Sequence, residues 1–366
     1  MRRRFFCSRR LSPVLFPSSG ITVQDARGKV VEYLHHHDID NPHVTAQNLL
    51  THILQISYRD YHQHTSQLLT PQHLDQLTSL CHRRAILREP LQYLVGNWDF
   101  YGRTYHCRQP ILIPRSETEN LIERILNEKI LKKIQNPKIL DIGCGTGVIG
   151  LTLLAEISTA AGTAIDITAE AVHLASLNCT SVLCGECPRK CSRKPLSTPT
   201  DPSRACCRYQ LHHTSLINFF QSPEYHSFSH EAFDLIVSNP PYIPTDELHS
   251  TTSPLQEEVY RYESHVALDG GRQQGLEIIR DILLYSAPSL SPTGTQELWM
   301  EVHCSHPQLI QESYERYHRQ NHPSPAPADD VLAGCWEYYD FVAQYQDLFQ
   351  VPRFVRLRKR DPSRRS

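Results

Sequence analysis

The stretch that decides the fold is KILDIGCGTGVIG, residues 138–150, in which an apolar run leads through glycines at alternate positions into a second apolar run. A strand that passes through a glycine loop into a helix is the opening unit of a parallel α/β sheet. Gly143, Gly145 and Gly147 let the backbone turn sharply and approach a ligand, with the N–H groups of the helix start facing it. The sequence therefore predicts an α/β fold with a ligand-binding loop after this strand.

Two ligand classes suit this loop. Residues 145–150 match the dinucleotide pattern G-x-G-x-x-G, which is a weak signal alone. A nicotinamide site offers N–H groups to a pyrophosphate, and an acid at the base of its loop is unfavourable. S-adenosylmethionine carries an ammonium and a sulfonium, so Asp141 at that position favours it. Asp166, at the end of the next predicted strand, suits a ribose diol in either case.

The chemistry is indicated by FDLIVSNPPY, residues 233–242, an apolar strand that ends in two prolines. The prolines remove two backbone donors, so the strand stops at Asn239 and a stiff loop follows. The Asn239 side chain and the Pro240 carbonyl can accept the hydrogens of a planar NH2 group, and Tyr242 can lie against its plane. This arrangement favours methylation of an amide or ring-amino nitrogen, although Asn-Pro also begins ordinary turns.

The whole chain has the composition of a globular protein. It has 366 residues, 40% hydrophobic and 21% charged, which is enough for two domains. Its formal net charge of -2 argues against non-specific electrostatic binding to nucleic acid. No apolar run approaches the roughly 18 residues of a membrane span. Residues 1–20 are rich in arginine and no acid precedes Asp25, which is typical of a mitochondrial transit peptide; a disordered basic tail is the alternative.

The predicted domains follow from changes of pattern along the chain. Apolar residues at helical spacing predict a helical domain over 21–88, and aromatic residues with glycines predict a β-hairpin linker over 89–115. The α/β domain is expected at 116–358, with Ser116 capping its first helix, and residues 359–366 form a basic tail. The Cys- and Pro-rich segment 184–206 is expected to be a flexible insertion. Zinc binding by four of the cysteines between 179 and 207 is the alternative.

Four separated blocks of this sequence resemble the HemK/PrmC glutamine N5-methyltransferases, which modify peptide chain release factors. The blocks are EPLQYLVG (89–96), ILIPRSETE (111–119), the glycine loop, and NPPY (239–242). The segment ALDGG (267–271) resembles a further loop of the family. Ser116 departs from the family's usual proline. The position after the third strand, commonly an acid near the adenine, is here His213, Thr214 or Ser215, so we assign no adenine contact.

The resemblance implies a Rossmann-like class I S-adenosylmethionine-dependent methyltransferase fold with a small N-terminal helical domain that docks the release factor. It implies methyl transfer to the glutamine of a Gly-Gly-Gln motif, leaving S-adenosylhomocysteine. The arginine-rich start indicates a mitochondrial release factor and a matrix location. We expect a monomer that uses no metal and binds no nucleic acid directly.

The motifs and the resemblance together give the expected site residues. The expected catalytic residues are Asn239, Pro240 and Tyr242. The expected cofactor-binding residues are Asp141, Gly143, Cys144, Gly145, Gly147, Asp166 and Asn239. The expected substrate-binding residues are Pro241, Tyr242, Arg115 and Glu117. Two alternative functions remain open at this point. One is an adenine-N6 nucleic-acid methyltransferase, which would flip its target base out of the stack so that Asn239 and the Pro240 carbonyl accept hydrogens of its amino group. The other is a non-catalytic module that has kept the fold.

Overall fold

The structure is a computed structural model that describes Phe16 and residues 20–183, 208–229, 233–250, 255–319 and 330–361. The insertion predicted at 184–206 lies outside these residues, as does the transit segment except for Phe16 and Gly20. The chain forms two units, Met1–Gly96 with Glu257–Tyr262, and Asn97–Gln256 with Glu263–Ser366.

The helices and strands alternate through most of the chain. In chain order, the α-helices are α1 (Val23–His36), α2 (Pro42–Leu54), α3 (Pro71–Ala85), α4 (Leu91–Val95), α5 (Ser116–Asn127), α6 (Val148–Glu156), α7 (Ala169–Leu183), α8 (Leu216–Gln221), α9 (His226–Ser229), α10 (Thr245–Leu248), α11 (Glu257–Tyr262), α12 (Glu277–Ser286) and α13 (His306–Arg319). The strands are β1 (Asn97–Phe100), β2 (Arg103–His106), β3 (Lys138–Ile142), β4 (Ala161–Asp166), β5 (Tyr209–His213), β6 (Leu235–Ser238), β7 (Ile243–Pro244), β8 (Asp269–Gly271), β9 (Glu297–Glu301), β10 (Tyr339–Gln346) and β11 (Pro352–Lys359).

The first unit is helical, and its helices follow the apolar spacing of the sequence. In α1, Thr22 accepts a hydrogen bond from the Asp25 N–H and caps the helix, while Val30 and Leu34 lie on a fully buried face. α11 belongs to this unit, where Glu258 forms ion pairs with two arginines of the unit. The helical region extends past the predicted boundary at residue 88 to include α4.

The second unit is built on a seven-stranded sheet of order β10-β11-β9-β6-β3-β4-β5. The five strands from β9 to β5 are parallel, and β11 and β10 are antiparallel to their neighbours. One core packs α5, α6 and α7 on one face, and a second core packs α8, α12 and α13 on the other. Buried parallel strands such as β6, with all four residues buried, explain the near-continuous apolar runs.

The strand order reverses at β3, because the chain continues to β4 and β5 on one side and later to β6 and β9 on the other. Ligands of open α/β sheets bind where the order reverses, outside the carboxyl ends of the strands. Among the helices that the structure describes, none has the length and apolar character that a membrane crossing needs.

The predicted hairpin is present as β1 and β2, which pair Trp98 with Tyr105 and group with the second unit. The predicted capping by Ser116 is wrong. Arg115 occupies the N-cap position of α5, Ser116 is the first helical residue, and its hydroxyl donates to Glu117 Oε2 at 3.1 Å. The C-terminal strand reaches Lys359, and Arg360 donates to the Trp336 carbonyl at 2.7 Å, so these first basic tail residues are part of the fold.

Candidate active site

A cavity of about 210 Å³ lies at the carboxyl ends of β3, β4 and β6. Three predicted segments meet there: the glycine loop with Gly143 and Gly145, Asp166 at the end of β4, and Asn239 to Pro241 after β6. The structure therefore places the two strongest sequence motifs, which lie about 90 residues apart, on one cavity. Apolar side chains complete its wall.

The glycine loop is shaped by backbone conformations that favour glycine. Gly143, Gly145 and Gly147 have φ of +71°, +54° and +82°. No described atom lies within 4 Å of the position that a Cβ would take at Gly143, so this backbone borders open space. At Gly147 a Cβ would lie 2.9 Å from Leu151 and 3.2 Å from Ala175. Gly147 therefore allows close helix packing, whereas Gly143 and Gly145 border the cavity.

Asp141 is buried beneath the loop, with 1% of its surface exposed. Its Oδ2 accepts hydrogen bonds from the Gly150 N–H at 2.9 Å and the Tyr209 hydroxyl at 3.2 Å. Its Oδ1 is buried and has no hydrogen-bond partner among the described residues. Burial raises the pKa of Asp141 to about 7, and the two hydrogen bonds partly offset this. A buried carboxylate oxygen in need of a donor fits a cationic ligand group such as an ammonium.

Asp166 ties the loop to the segment after β4. Its Oδ2 accepts from the Gly145 N–H, and its Oδ1 accepts from the backbone N–H and hydroxyl of Thr168, each at 2.9 Å. A carboxylate has about four acceptor sites, so these bonds leave room for the hydroxyls of a ribose. Cys144 is buried within the loop and burial raises its thiol pKa well above the usual range.

The backbone of the loop after β6 packs closely against two glycines, Gly270 and Gly275. β7 pairs with β8, and a Cβ at Gly270 would lie 2.6 Å from the Cα of Tyr242. A Cβ at Gly275 would overlap the Tyr242 carbonyl oxygen. The ring of Tyr242 lies 6.3 Å from that of His303, and burial raises the Tyr242 pKa. Tyr242 thus follows the cavity-lining residues Asn239, Pro240 and Pro241, and its own position is fixed by close backbone packing.

Arg115 and Glu117, predicted to bind the substrate, lie at the start of α5. The Arg115 Nη2 atom contacts both carboxylate oxygens of Glu263, at 2.7 and 2.8 Å. Glu263 is buried and also accepts from the Ile113 N–H, so this ion pair anchors the segment before α5. The Glu117 side chain accepts from Ser116 and is half-buried. Their role towards a substrate stays a prediction.

Sequence reasoning missed several residues of the site. Thr214, one of three positions left undecided, lines the cavity and its N–H donates to the Asp166 carbonyl at 2.9 Å. Thr118 accepts a hydrogen bond from the Asn239 side-chain nitrogen at 3.4 Å and donates one to Glu301 at 2.7 Å. Thr118 stands in the block 111–119, and Glu301 ends the apolar run of β9. These two positions were the only sequence signals for a role of Thr118 and Glu301 in the site.

The apolar wall was missed as well. The residues that contribute to it from outside the sheet include Ile111, Leu112, Val266, Ala267, Ile278 and Ile282. Within the part of the chain that the structure describes, no group of three or more His, Cys, Asp or Glu is arranged to hold a metal ion.

Comparison with known proteins identifies the family. Models named "PrmC N-terminal domain" and "Methyltransferase small domain" match residues 25–96 and 120–184. The human protein "MTRF1L release factor glutamine methyltransferase" is 30% identical over 305 residues, which cover 81% of this chain and 75% of the relative. The chain belongs to the release factor glutamine methyltransferases. The predicted family and methyltransferase fold class are confirmed.

One further relative gives a similar match. The release factor glutamine methyltransferase of Chlorobaculum tepidum is 31% identical over 259 residues, covering 70% of this chain and 77% of the relative. A solved structure, the release-factor-specific protein-(glutamine-N5) methyltransferase of Alicyclobacillus acidocaldarius, has 17% identity and a TM-score of 0.31. It covers 68% of this chain and 95% of that one.

Proposed function

We propose that this protein methylates the side-chain amide nitrogen of the glutamine in the Gly-Gly-Gln motif of a peptide chain release factor, with S-adenosylmethionine as the donor. The observation that carries the proposal is that Asn239 and Pro240 line the same cavity as Gly143, Gly145 and Asp166. Membership of the release factor glutamine methyltransferases supports a glutamine amide over a ring amine as the target.

The residues that line the cavity, and those buried in or beneath the glycine loop, divide the work between holding the cofactor and presenting the nitrogen. Gly143 and Gly145 allow close approach of the loop backbone, Asp141 offers Oδ1 to an ammonium, and Asp166 suits a ribose. S-adenosylmethionine supplies a methyl group already activated by the sulfonium, and S-adenosylhomocysteine is left. Cys144 and Gly147 contribute through the shape of the loop, since one is buried within it and the other packs against α7.

Asn239 and Pro240 prepare the amide nitrogen, whose lone pair is otherwise delocalised. The Asn239 side-chain oxygen and the Pro240 carbonyl accept its two hydrogens and increase lone-pair character on nitrogen. Tyr242 and Pro241 shape the slot for the planar group. Catalysis then depends mainly on alignment, and the proton leaves a strongly acidic, alkylated nitrogen without a dedicated strong base.

We also propose a mitochondrial release factor as the partner and the mitochondrial matrix as the location. The support is the arginine-rich, acid-free start of residues 1–20. A monomer that binds no nucleic acid directly is part of the same proposal. An import assay with isolated mitochondria compares the full chain with one that lacks residues 1–20. Failure of the full chain to enter contradicts the location, and equal import of both contradicts the targeting role of residues 1–20.

The activity is tested with labelled S-adenosylmethionine and a release factor carrying either Gly-Gly-Gln or Gly-Gly-Ala. We expect label only on the Gly-Gly-Gln protein and none on DNA or RNA oligonucleotides. Asn239→Ala should reduce kcat by roughly a hundredfold and weaken cofactor binding far less, because it removes an acceptor aimed at the target. Asn127→Ala, at the exposed end of α5, is the matched control. Label on the Gly-Gly-Ala protein or an unimpaired Asn239→Ala enzyme would overturn the assignment.

A further inference from the structure

We propose that Thr118 and Glu301 are positioning residues that hold the side-chain amide of Asn239 with its oxygen towards the target nitrogen. The inference rests on the proposed function, in which that oxygen accepts a hydrogen of the substrate amide. Neither residue belongs to the glycine loop or to residues 239–242, and Thr118 stands in the block 111–119. The structure brings them to Asn239 through strand register and helix placement.

The register of two parallel strands explains why Glu301 lies beside Asn239. β6 pairs with β9, and Ser238 lies opposite Met300. The residues that follow each of them, Asn239 and Glu301, therefore reach the same carboxyl edge of the sheet. Thr118, in the first turn of α5, stands between them and contacts both side chains.

The direction of the hydrogen bonds follows from the chemistry of the three groups. An ionised carboxylate only accepts, so the Thr118 hydroxyl donates to Glu301 Oε2 across 2.7 Å. The lone pairs of Thr118 Oγ1 then remain for Asn239, whose Nδ2 lies 3.4 Å away. An amide nitrogen donates and does not accept. Asn239 must therefore turn its nitrogen to Thr118, which leaves Oδ1 as the atom for the substrate.

Burial strengthens the preference of these hydrogen bonds for one orientation of the Asn239 amide. Thr118 and Glu301 are 2% and 1% exposed, so water does not compete for their hydrogen bonds. Burial raises the pKa of Glu301 to about 7. The Thr118 hydroxyl and the charges of Arg353 and Arg115 act against this rise, and Glu117 adds to it.

Protonation of Glu301 would remove the constraint on Asn239. A protonated carboxyl can donate to Thr118, and the Thr118 hydroxyl is then able to donate to the Asn239 oxygen, which favours the flipped amide. The groups that face Glu301 are Arg353 from β11, Arg115 and Glu117 from the start of α5, and Tyr242 from the loop after β6. Turnover should therefore rise with pH as Glu301 ionises.

The first test compares substitutions that differ by one hydroxyl. Thr118→Val should lower kcat by about tenfold to a hundredfold, with KM for the release factor and cofactor affinity changed less than about threefold, because only the orientation of Asn239 is lost. Thr118→Ser should restore most of the rate. Thr152 lies in α6 and makes a buried 2.7 Å hydrogen bond to Tyr105 in β2. Thr152→Val, which loses this bond, is the control for stability and should keep kcat.

The second test uses pH, and its comparison of the wild type with Glu301→Gln does not depend on the folding of Thr118→Val. At saturating cofactor, the kcat of the wild type should rise roughly tenfold between pH 6 and pH 8. Glu301→Gln should have a lower kcat at pH 8 and lose this rise. Because Glu301 acts through Thr118, the variant Thr118→Val/Glu301→Gln should be no slower than Thr118→Val alone.

The outcomes separate this inference from the proposed function. If the wild type does not methylate the Gly-Gly-Gln protein, the proposed function fails. If the wild type methylates it, four results would each overturn the positioning role and leave the function standing. Two concern Thr118: Thr118→Val keeps full kcat, or Thr118→Ser is as slow as Thr118→Val. Two concern Glu301: the losses of kcat in Thr118→Val and Glu301→Gln multiply in the double variant, or Glu301→Gln keeps the rise of kcat with pH.

Discussion

Asp141 shows how far a single residue can be interpreted from its sequence position. An acid at the base of the glycine loop predicts a cationic ligand, and the structure adds a buried Oδ1 without a described partner. The two hydrogen bonds to its other oxygen, Oδ2, were not predictable. Tyr209 lies 68 positions away, and the Gly150 N–H reaches the carboxylate only because the chain turns into α6. A Cβ at Gly150 would lie 2.8 Å from Asp141 Oδ2, so this glycine makes room for the carboxylate.

Asp141→Asn should weaken S-adenosylmethionine binding by roughly tenfold to a hundredfold, because a charged hydrogen bond to the ammonium is replaced by a neutral one. Isothermal titration calorimetry measures this affinity directly. Asp234→Asn is the matched control, since Asp234 is also buried and its Oδ2 accepts from the Lys138 N–H at the opposite end of β3. Equal affinity of the Asp141→Asn and control variants would contradict the ammonium contact.

At the scale of elements, the strands and helices with strong local patterns were predictable. The unit from β3 through α6 to β4 follows from one continuous motif, and β6 follows from an apolar run that ends at proline. β10 was missed because its aromatic and polar residues alternate weakly and only one of its eight residues is buried at the sheet edge. Its strand character depends on pairing with β11, which a local pattern does not contain.

The short pairing of β7 with β8 gives a prediction about the loop that carries Tyr242. Gly270→Ala should reduce kcat by at least about tenfold, because its Cβ would lie 2.6 Å from the Tyr242 Cα and 2.5 Å from the Gly275 carbonyl oxygen, so backbone must move. Steady-state kinetics with the release factor measures the effect, and a melting curve reports the fold. Gly334→Ala, where no described atom lies within 4 Å of the added Cβ, should have little effect. A Gly270→Ala enzyme with wild-type turnover would show that this packing does not set the loop.

At the scale of the whole molecule, sequence motifs located the cavity but not the support beneath it. The glycine loop and the residues 239–242 are local signals, and their meeting follows from the rule that ligands bind where strand order reverses. Thr118 and Glu301 join the site only through the register of β6 with β9 and the placement of α5. Such contacts depend on the assembled sheet, so a single sequence does not reveal them.

The buried carboxyl groups of Asp141 and Glu301 should also make the stability of the fold depend on pH. Asp141 and Glu301 are both buried, and their pKa values are raised from 3.8 and 4.5 to about 7. Between about pH 4 and pH 7 the folded chain therefore binds more protons at these sites than the unfolded chain, so their contribution to the free energy of unfolding falls as pH rises. Above both folded pKa values, the contribution no longer changes.

The difference between Glu301→Gln and the wild type isolates this effect. Relative to the wild type, the variant should gain roughly 1–3 kcal/mol in free energy of unfolding between pH 5 and pH 8, because it never has to ionise a buried group. Urea unfolding at the two pH values measures the gain, with Glu224→Gln at an exposed position as the control. A constant difference between variant and wild type would mean that Glu301 ionises in the fold as easily as in water. The gain would accompany a loss of turnover at pH 8, because the ionised carboxylate that destabilises the fold is the form that orients Asn239.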